Sequence, residues 1–204
     1  MLDLGCGVGG ALLAAAFRRP SSQFVGLERD PGAVQLARQN VDLNAMADRV
    51  RIVEGDVTGR FSELGLGPFD AVMANPPFFD DPGALRGPAP EKAAAWLADG
   101  GLAAWIAYMF KAVRQNGRLT IIHRADRLAD LLNLLSHKAG SIQILPIAPF
   151  ADAPAKRVVV RAIKSGRAPL VLRPALVLHE RDGVDKHTVE VEAILRGKSD
   201  LSWL

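Results

Sequence analysis

The sequence predicts an α/β protein in which a mostly parallel sheet carries helices on both faces. Two observations predict it. Apolar runs alternate with amphipathic stretches from the first residue onward, the pattern of successive βαβ units. A glycine-rich turn, Gly5-Cys6-Gly7-Val8-Gly9-Gly10, joins an apolar segment to a helical one, as the first crossover of such a sheet requires. At 204 residues, against roughly 150 for a typical domain, the chain is expected to form one domain over 1–204.

Met1–Leu4 reads as the end of the first strand and Gly10–Arg19 as the helix after it. The chain thus starts within four residues of the glycine turn, and a segment covering the site from the N-terminal side is expected to be absent from it. Gln23–Leu27 is the second strand. Pro31 to about Met46 fits a helix, with Asp30 as N-cap and proline at the first helical position, where its missing N–H costs nothing. Val50–Val53 and Ala71–Ala74 are the third and fourth strands. Phe79–Lys92, with Asp-Asp-Pro-Gly and Gly-Pro-Ala-Pro, reads as a long flexible loop that divides 1–78 from 93–204. The spacing then predicts a helix over Leu102–Gln115, stopped by Asn116-Gly117, and a strand over Leu119–His123. A helix over Arg127–Lys138 is ended by Gly140. Ile142–Ile147 and Arg157–Lys164 form a hairpin-like pair of strands, Leu176–His179 a short strand and Thr188–Leu195 a short helix.

The longest apolar run, Leu102 to Phe110, has nine residues, against the ~20 that cross a bilayer, so no membrane association is expected. The single cysteine, Cys6, excludes an intrachain disulfide, and a reducing cytoplasm is the simplest location. Charge is uneven: 1–110 carries net −4, 111–173 net +9 and 174–204 net −2. The middle block would attract a polyanion. Scattered arginines that merely solvate helix surfaces are the alternative.

The glycine turn alone indicates a nucleoside-containing ligand. Gly5, Gly7 and Gly10 satisfy G-x-G-x-x-G, and Glu28 lies near the distance expected for a ribose-binding acid, so a dinucleotide is also consistent. Asp3 separates the readings. A carboxylate at the end of a buried strand is costly unless paired; it would repel a pyrophosphate and complement an amino-acid ammonium such as that of S-adenosylmethionine. Hydrogen bonds that tie down the glycine turn are the other role open to it. Glu28, ending the second strand, can accept from both ribose hydroxyls, and Asp56, ending the third, from an adenine amino group; each alone could instead cap a helix or sit solvated in a loop.

Asn75-Pro76-Pro77-Phe78 follows the fourth strand, on the same carboxyl edge as the glycine turn. The prolines stiffen the segment. The Asn75 amide oxygen and the Pro76 carbonyl can accept two hydrogen bonds, and Phe78 offers a flat apolar face. This set suits an exocyclic amine on a planar ring, where two acceptors aim the nitrogen lone pair and catalysis rests on alignment rather than on a strong base. A proline-rich turn after a buried strand is the bland alternative. The four histidines share no metal-ligand spacing with one another or with Cys6, so no metal is expected, and Cys6 reads as a small loop residue rather than a nucleophile.

These residues together resemble the class I S-adenosylmethionine-dependent methyltransferases, in the amino-methylating branch with an N-P-P-aromatic motif. His123–Leu128, Pro154–Val158 and Leu176–Glu180 are similar to the later part of bacterial tRNA-Val adenine-N6 methyltransferases. The resemblance implies a Rossmann-like fold, a seven-stranded sheet with its last strand antiparallel, and S-adenosylmethionine as cofactor. It assigns Asp3, Gly5, Gly7, Glu28 and Asp56, with Cys6, Arg29, Val57 and Asn75 beside them, to the cofactor. Asn75, Pro76, Pro77 and Phe78 then hold the target amine and base, with Phe78 standing where relatives more usually carry Tyr. The expected activity is methylation of a nucleobase amine, foremost adenine N6 in tRNA, the nucleic acid being held through Lys156, Arg157, Arg161 and Arg167. The competing readings are another planar amine (rRNA guanine, DNA adenine or protein glutamine) and a cofactor- or RNA-binding module without catalysis.

Overall fold

The computed structural model describes residues 1–77, 101–181, 186–201 and 203. Phe78 and the loop expected over 79–92 lie outside the described residues. Among the described residues nine strands form one sheet: β1 (Leu2–Leu4), β2 (Phe24–Glu28), β3 (Val50–Glu54), β4 (Phe69–Ala74), β5 (Val113–Arg124), β6 (Ala139–Ala148), β7 (Arg157–Lys164), β8 (Val171–Leu172) and β9 (Leu176–Val177). Their order is β3-β2-β1-β4-β5-β7-β6-β8, with β9 also paired to β6. β7 runs antiparallel to both its neighbours and the other pairings are parallel. The first seven strands are therefore the expected sheet with its last member reversed, and the two-residue strands β8 and β9 extend its edge.

Helices α1 (Gly10–Arg18) and α2 (Pro31–Leu43) cover one face, and α3 (Gly101–Ala112) and α4 (Leu128–Ser136) the other. Strand alternation divides the core accordingly. Phe24, Val50 and Ile52 meet Leu12, Ala16, Val34, Ala37 and Val41 of the first pair, while Leu2, Leu4, Leu119, Ile121, Val158 and Val160 meet Ile106, Met109, Leu131 and Leu135 of the second. A final helix, α5 (Val189–Leu195), joins the α1 side: Thr188 caps it through Val191 N–H at 3.3 Å, and the Arg18 guanidinium donates to the Ile194 carbonyl. Asp30 caps α2 as expected, its carboxylate accepting from Ala33 N–H at 2.7 Å with Pro31 at the first position. Among the described residues no helix is long and apolar enough to cross a membrane.

Two of the differences from the boundaries expected from the sequence have a clear cause in the packing. α3 stops at Ala112, not Gln115, because the Lys164 ammonium from β7 donates to the carbonyls of Phe110 at 2.7 Å and Val113 at 2.9 Å, taking up helix-end acceptors that a following turn would otherwise satisfy. Val113 then pairs with Phe69, and the register shift before Ala71–Arg118 accommodates Asn116 in the left-handed region at φ 59°. Gly140, read as a helix end, lies inside β6. There one extra residue forms a bulge, and Ser141 is held by its N–H to the Ala168 carbonyl and by its hydroxyl oxygen to Ala168 N–H, both at 3.1 Å.

Candidate active site

The chain steps outward from β1 through β2 to β3 and then returns to the other side of β1 at β4. Ligands of open α/β sheets bind at the carboxyl ends of the strands where the order reverses in this way. Register sets what borders the crevice. Leu4 pairs with Leu27 on one side and Ala74 on the other, so Gly5, Glu28 and Asn75 each stand one residue beyond the same level. Glu28 pairs with Glu54, which brings the turn at Asp56 alongside.

Backbone hydrogen bonds shape the glycine turn. Gly5 and Cys6 N–H donate to the Leu27 carbonyl at 2.8 and 3.1 Å. The Glu28 carboxylate accepts from Gly7 N–H at 2.9 Å through Oε2 and from the N–H groups of Arg29 at 2.9 Å and Asp30 at 3.0 Å through Oε1. Glu28 therefore anchors the turn as well as bordering the crevice, with acceptor capacity left on Oε2. α1 has Gly9 as its N-cap and so no side-chain cap, and its first N–H groups offer donors to an anionic group.

Gly5 and Gly7 both have positive φ, 67° and 55°, for different reasons. A Cβ on Gly5 would stand 2.5 Å from Cη2 of Trp105, whereas a Cβ on Gly7 would have no atom of the described residues within 4 Å beyond its own chain neighbours. The first glycine is demanded by the α3 ring beneath it; the second keeps space open above. Gly5→Ala is expected to cost ~1–2 kcal/mol through the left-handed backbone alone, plus the ring clash. Gly7→Ala should lower the melting temperature less and weaken a ligand seated on the turn. Thermal denaturation of both variants with and without S-adenosylmethionine tests the contrast, and equal losses in both would refute it.

Asp3 is 5% exposed, and its Oδ2 has no hydrogen-bond partner among the described residues. Burial, reinforced by the Glu28 charge, pushes its carboxyl up to about 7. An orphaned acid of this kind fits a cationic group. The Cys6 side chain turns away into the core with Leu12 and Phe24, and burial, with the charges of Asp3 and Glu28, pushes the thiol up to about 12, which leaves it unreactive. Asp56 holds its own turn, Oδ1 accepting from Thr58 N–H at 2.8 Å, while Oδ2 meets the Arg29 guanidinium at 3.5 Å. Val57 beside it is half-buried against the core. The orphaned acid, the acceptor capacity of Glu28 and the space above Gly7 fit the ammonium, ribose and amino-acid parts of S-adenosylmethionine.

Asn75 is exposed at the end of β4, Pro76 is buried behind it and Pro77 half-buried. The basic residues are not brought together. Lys156 and Arg157 are exposed where β7 begins, and Arg157 pairs with Arg124 at the carboxyl end of β5, so both lie on the crevice edge. Arg161 is in mid-strand with its guanidinium 4.5 Å from the Trp203 ring, and burial and the Arg118 charge lower its pKa. Arg167 follows the far end of β7, on the opposite edge of the sheet, because an antiparallel strand of eight residues carries the chain roughly 25 Å away. Trp105 was not legible as a site residue: its contact with Gly5 is made from α3, and only its period in an apolar helix shows in the sequence. Tyr108, one turn on, is likewise unannounced; its buried hydroxyl has no partner among the described residues, and burial with the Asp56 charge pushes it up to about 12.

The methyltransferase small domain model matches residues 1–116. A tRNA1(Val) (adenine(37)-N6)-methyltransferase from Porphyromonas gingivalis is 32% identical over 154 residues, covering 71% of this chain and 60% of that protein. A release factor glutamine methyltransferase from Chlorobaculum tepidum is 28% identical over 153 residues, covering 71% of this chain and 52% of that protein. The chain thus spans little more than half the length of these curated relatives. Among solved structures, one from Agrobacterium tumefaciens, titled a predicted O-methyltransferase, superposes with a TM-score of 0.78 at 27% identity, covering 97% of this chain and 88% of its own.

Proposed function

The chain belongs to the methyltransferase small domain family, whose fold and cofactor are those of the S-adenosylmethionine-dependent enzymes, and from that premise we propose that it methylates the exocyclic amine of a nucleobase, foremost adenine N6 in tRNA. One observation carries the reading: the exposed Asn75 stands at the same level of the sheet as the glycine turn, near the buried Asp3, whose Oδ2 has no partner among the described residues. The names of the Porphyromonas relative and of others like it support adenine in tRNA. The net +9 block, with Lys156 and Arg157 on the crevice edge, supports a nucleic acid.

On this reading 1–204 work as one domain, 1–78 chiefly for the cofactor and 93–204 for the substrate. The Asp3 carboxylate binds the cofactor ammonium, Gly5, Cys6 and Gly7 line it with backbone, Glu28 takes a ribose hydroxyl, and Asp56, Arg29 and Val57 border the adenine. When bound, S-adenosylmethionine supplies an electrophilic methyl group on a positively charged sulfur. The Asn75 amide oxygen and the Pro76 carbonyl each accept one N–H of the target amine, and Pro76 and Pro77 hold those acceptors rigid, so the nitrogen lone pair faces the methyl carbon. The proton shed by the amine after transfer passes to water at the exposed Asn75, because a methylated ammonium on an aromatic ring is strongly acidic. Phe78 stacks on the base, which must be unpaired or flipped out to reach this position.

The test is transfer of labelled methyl groups from S-adenosylmethionine to tRNA, DNA and protein fractions, followed by nucleoside mass spectrometry. Label is expected in tRNA as N6-methyladenosine. Label in protein glutamine alone would instead place the chain with the Chlorobaculum relative, and absence of transfer to every fraction would leave only a binding module.

A further inference from the structure

Beyond the carboxyl ends of β6 and β9, four planar groups form a column. The Arg181 guanidinium lies 4.5 Å from the Phe150 ring centroid, His179 tilts against Phe150 at 5.8 Å and 54°, and His187 stacks on His179 at 5.4 Å and 24°. Strand pairing builds it. Leu176 and Val177 pair with Ile147 and Ala148, and the ladder continues as Leu178 and His179 N–H donate to the carbonyls of Ala148 and Pro149, both at 2.9 Å.

Arg181 is clamped from a second direction. Its Nε donates to both Asp152 carboxylate oxygens at 3.1 Å and its Nη2 to Oδ1 at 3.0 Å. A side chain 57% exposed is thereby held over the Phe150 ring with much of its guanidinium open to solvent. Surface arginines ordinarily lose rotamer freedom when they bind; this one has lost it already, so contact with its open face is cheap.

We infer that this open guanidinium face is a stacking site for an unpaired base flanking the target nucleotide of a single-stranded RNA segment. The inference rests on the nucleobase reading above and adds to it a second contact point. Unstacked RNA bases are received on aromatic rings and guanidinium planes. The site is on the same sheet edge as Asn75, four strands from β4 at ~4.8 Å each, roughly 20 Å away. Lys156 and Arg157 at the start of β7 lie between the two points. Asp152 neutralises Arg181, and the exposed Glu180 stands next to it, so the contact is one of stacking and not of phosphate charge.

The full chain is titrated with a single-stranded RNA of about 12 nucleotides, within the span of such grooves, carrying a central adenine and 2-aminopurine at successive flanking positions. Arg181→Lys keeps the charge and removes the plane. It is expected to weaken binding about tenfold and to abolish fluorescence quenching at one flanking position, with the salt slope and cofactor affinity unchanged. Lys156→Ala should do the reverse, flattening the slope by about 0.7 and keeping the quenching. Asp152→Asn loosens the clamp while leaving the guanidinium over Phe150, and is expected to retain quenching. Unchanged quenching in Arg181→Lys, or equal losses in Arg181→Lys and Asp152→Asn, would show that Arg181 only ties two loops together. Either result leaves the nucleobase reading standing if the unaltered chain methylates RNA. That reading fails separately if methyl groups go to protein alone.

Discussion

Asn75→Ala is expected to lower methyl-transfer turnover by about a hundredfold or more, the scale on which loss of one aligned polar group acts in a reacting site, while affinity for S-adenosylmethionine stays within about twofold. The reason is geometric. Asn75 follows Ala74, which pairs with Leu4, so the amide projects from the level at which the glycine turn begins, yet the hydrogen bonds that hold Gly5, Cys6 and Gly7 come from Leu27 and Glu28 on the other side of β1. Its removal takes away an acceptor for the target amine without disturbing the turn. Single-turnover kinetics at saturating cofactor, with calorimetry of cofactor binding, separate the two quantities. Parallel loss of both would make Asn75 a structural residue.

Asp3→Asn is expected to stabilise the cofactor-free protein and weaken its grip on the cofactor. The folded carboxyl is pushed up to about 7 from an ordinary 3.8, first by burial and then by the Glu28 charge. A raised acid contributes stability that is fully present below its unfolded pKa and is lost as pH rises through the folded one. A difference of about three units corresponds to about 4 kcal/mol forfeited above neutrality. The variant should therefore melt higher than the unaltered chain at about pH 8 and nearly level with it below about pH 4. Cofactor affinity should fall about ten- to a hundredfold, the worth of a charge-assisted bond of ~1.5–3 kcal/mol. In the unaltered chain, binding an ammonium requires the ionised carboxylate, so affinity should drop by up to about tenfold for each pH unit below 7. Calorimetry across that window decides it: a flat profile would remove Asp3 from the ammonium site.

The parts of this protein that were legible in the sequence are those whose causes lie within a few residues. Asp30 and Pro31 start α2 because a carboxylate and a fixed φ act on the next turn, and the glycine turn ends β1 because its neighbours must adopt positive φ. The same locality placed Asp3, Glu28, Asp56 and Asn75 at the ends of successive strands, where alternation of strand and helix brings them to one edge. What only the tertiary structure decided involves partners far apart in the chain. Lys164 ends α3 from β7, Trp105 explains Gly5, Trp203 covers Arg161, and Phe150 with Asp152 holds Arg181. The antiparallel course of β7 sends Lys156 and Arg167 to opposite edges, although both belong to one basic block of the sequence. The division has a physical origin. Capping, turn and strand-end preferences are short-range backbone effects that a sequence carries in its own order, whereas the selection of one cation or one ring from many depends on packing distances that exist only once the sheet has closed its register.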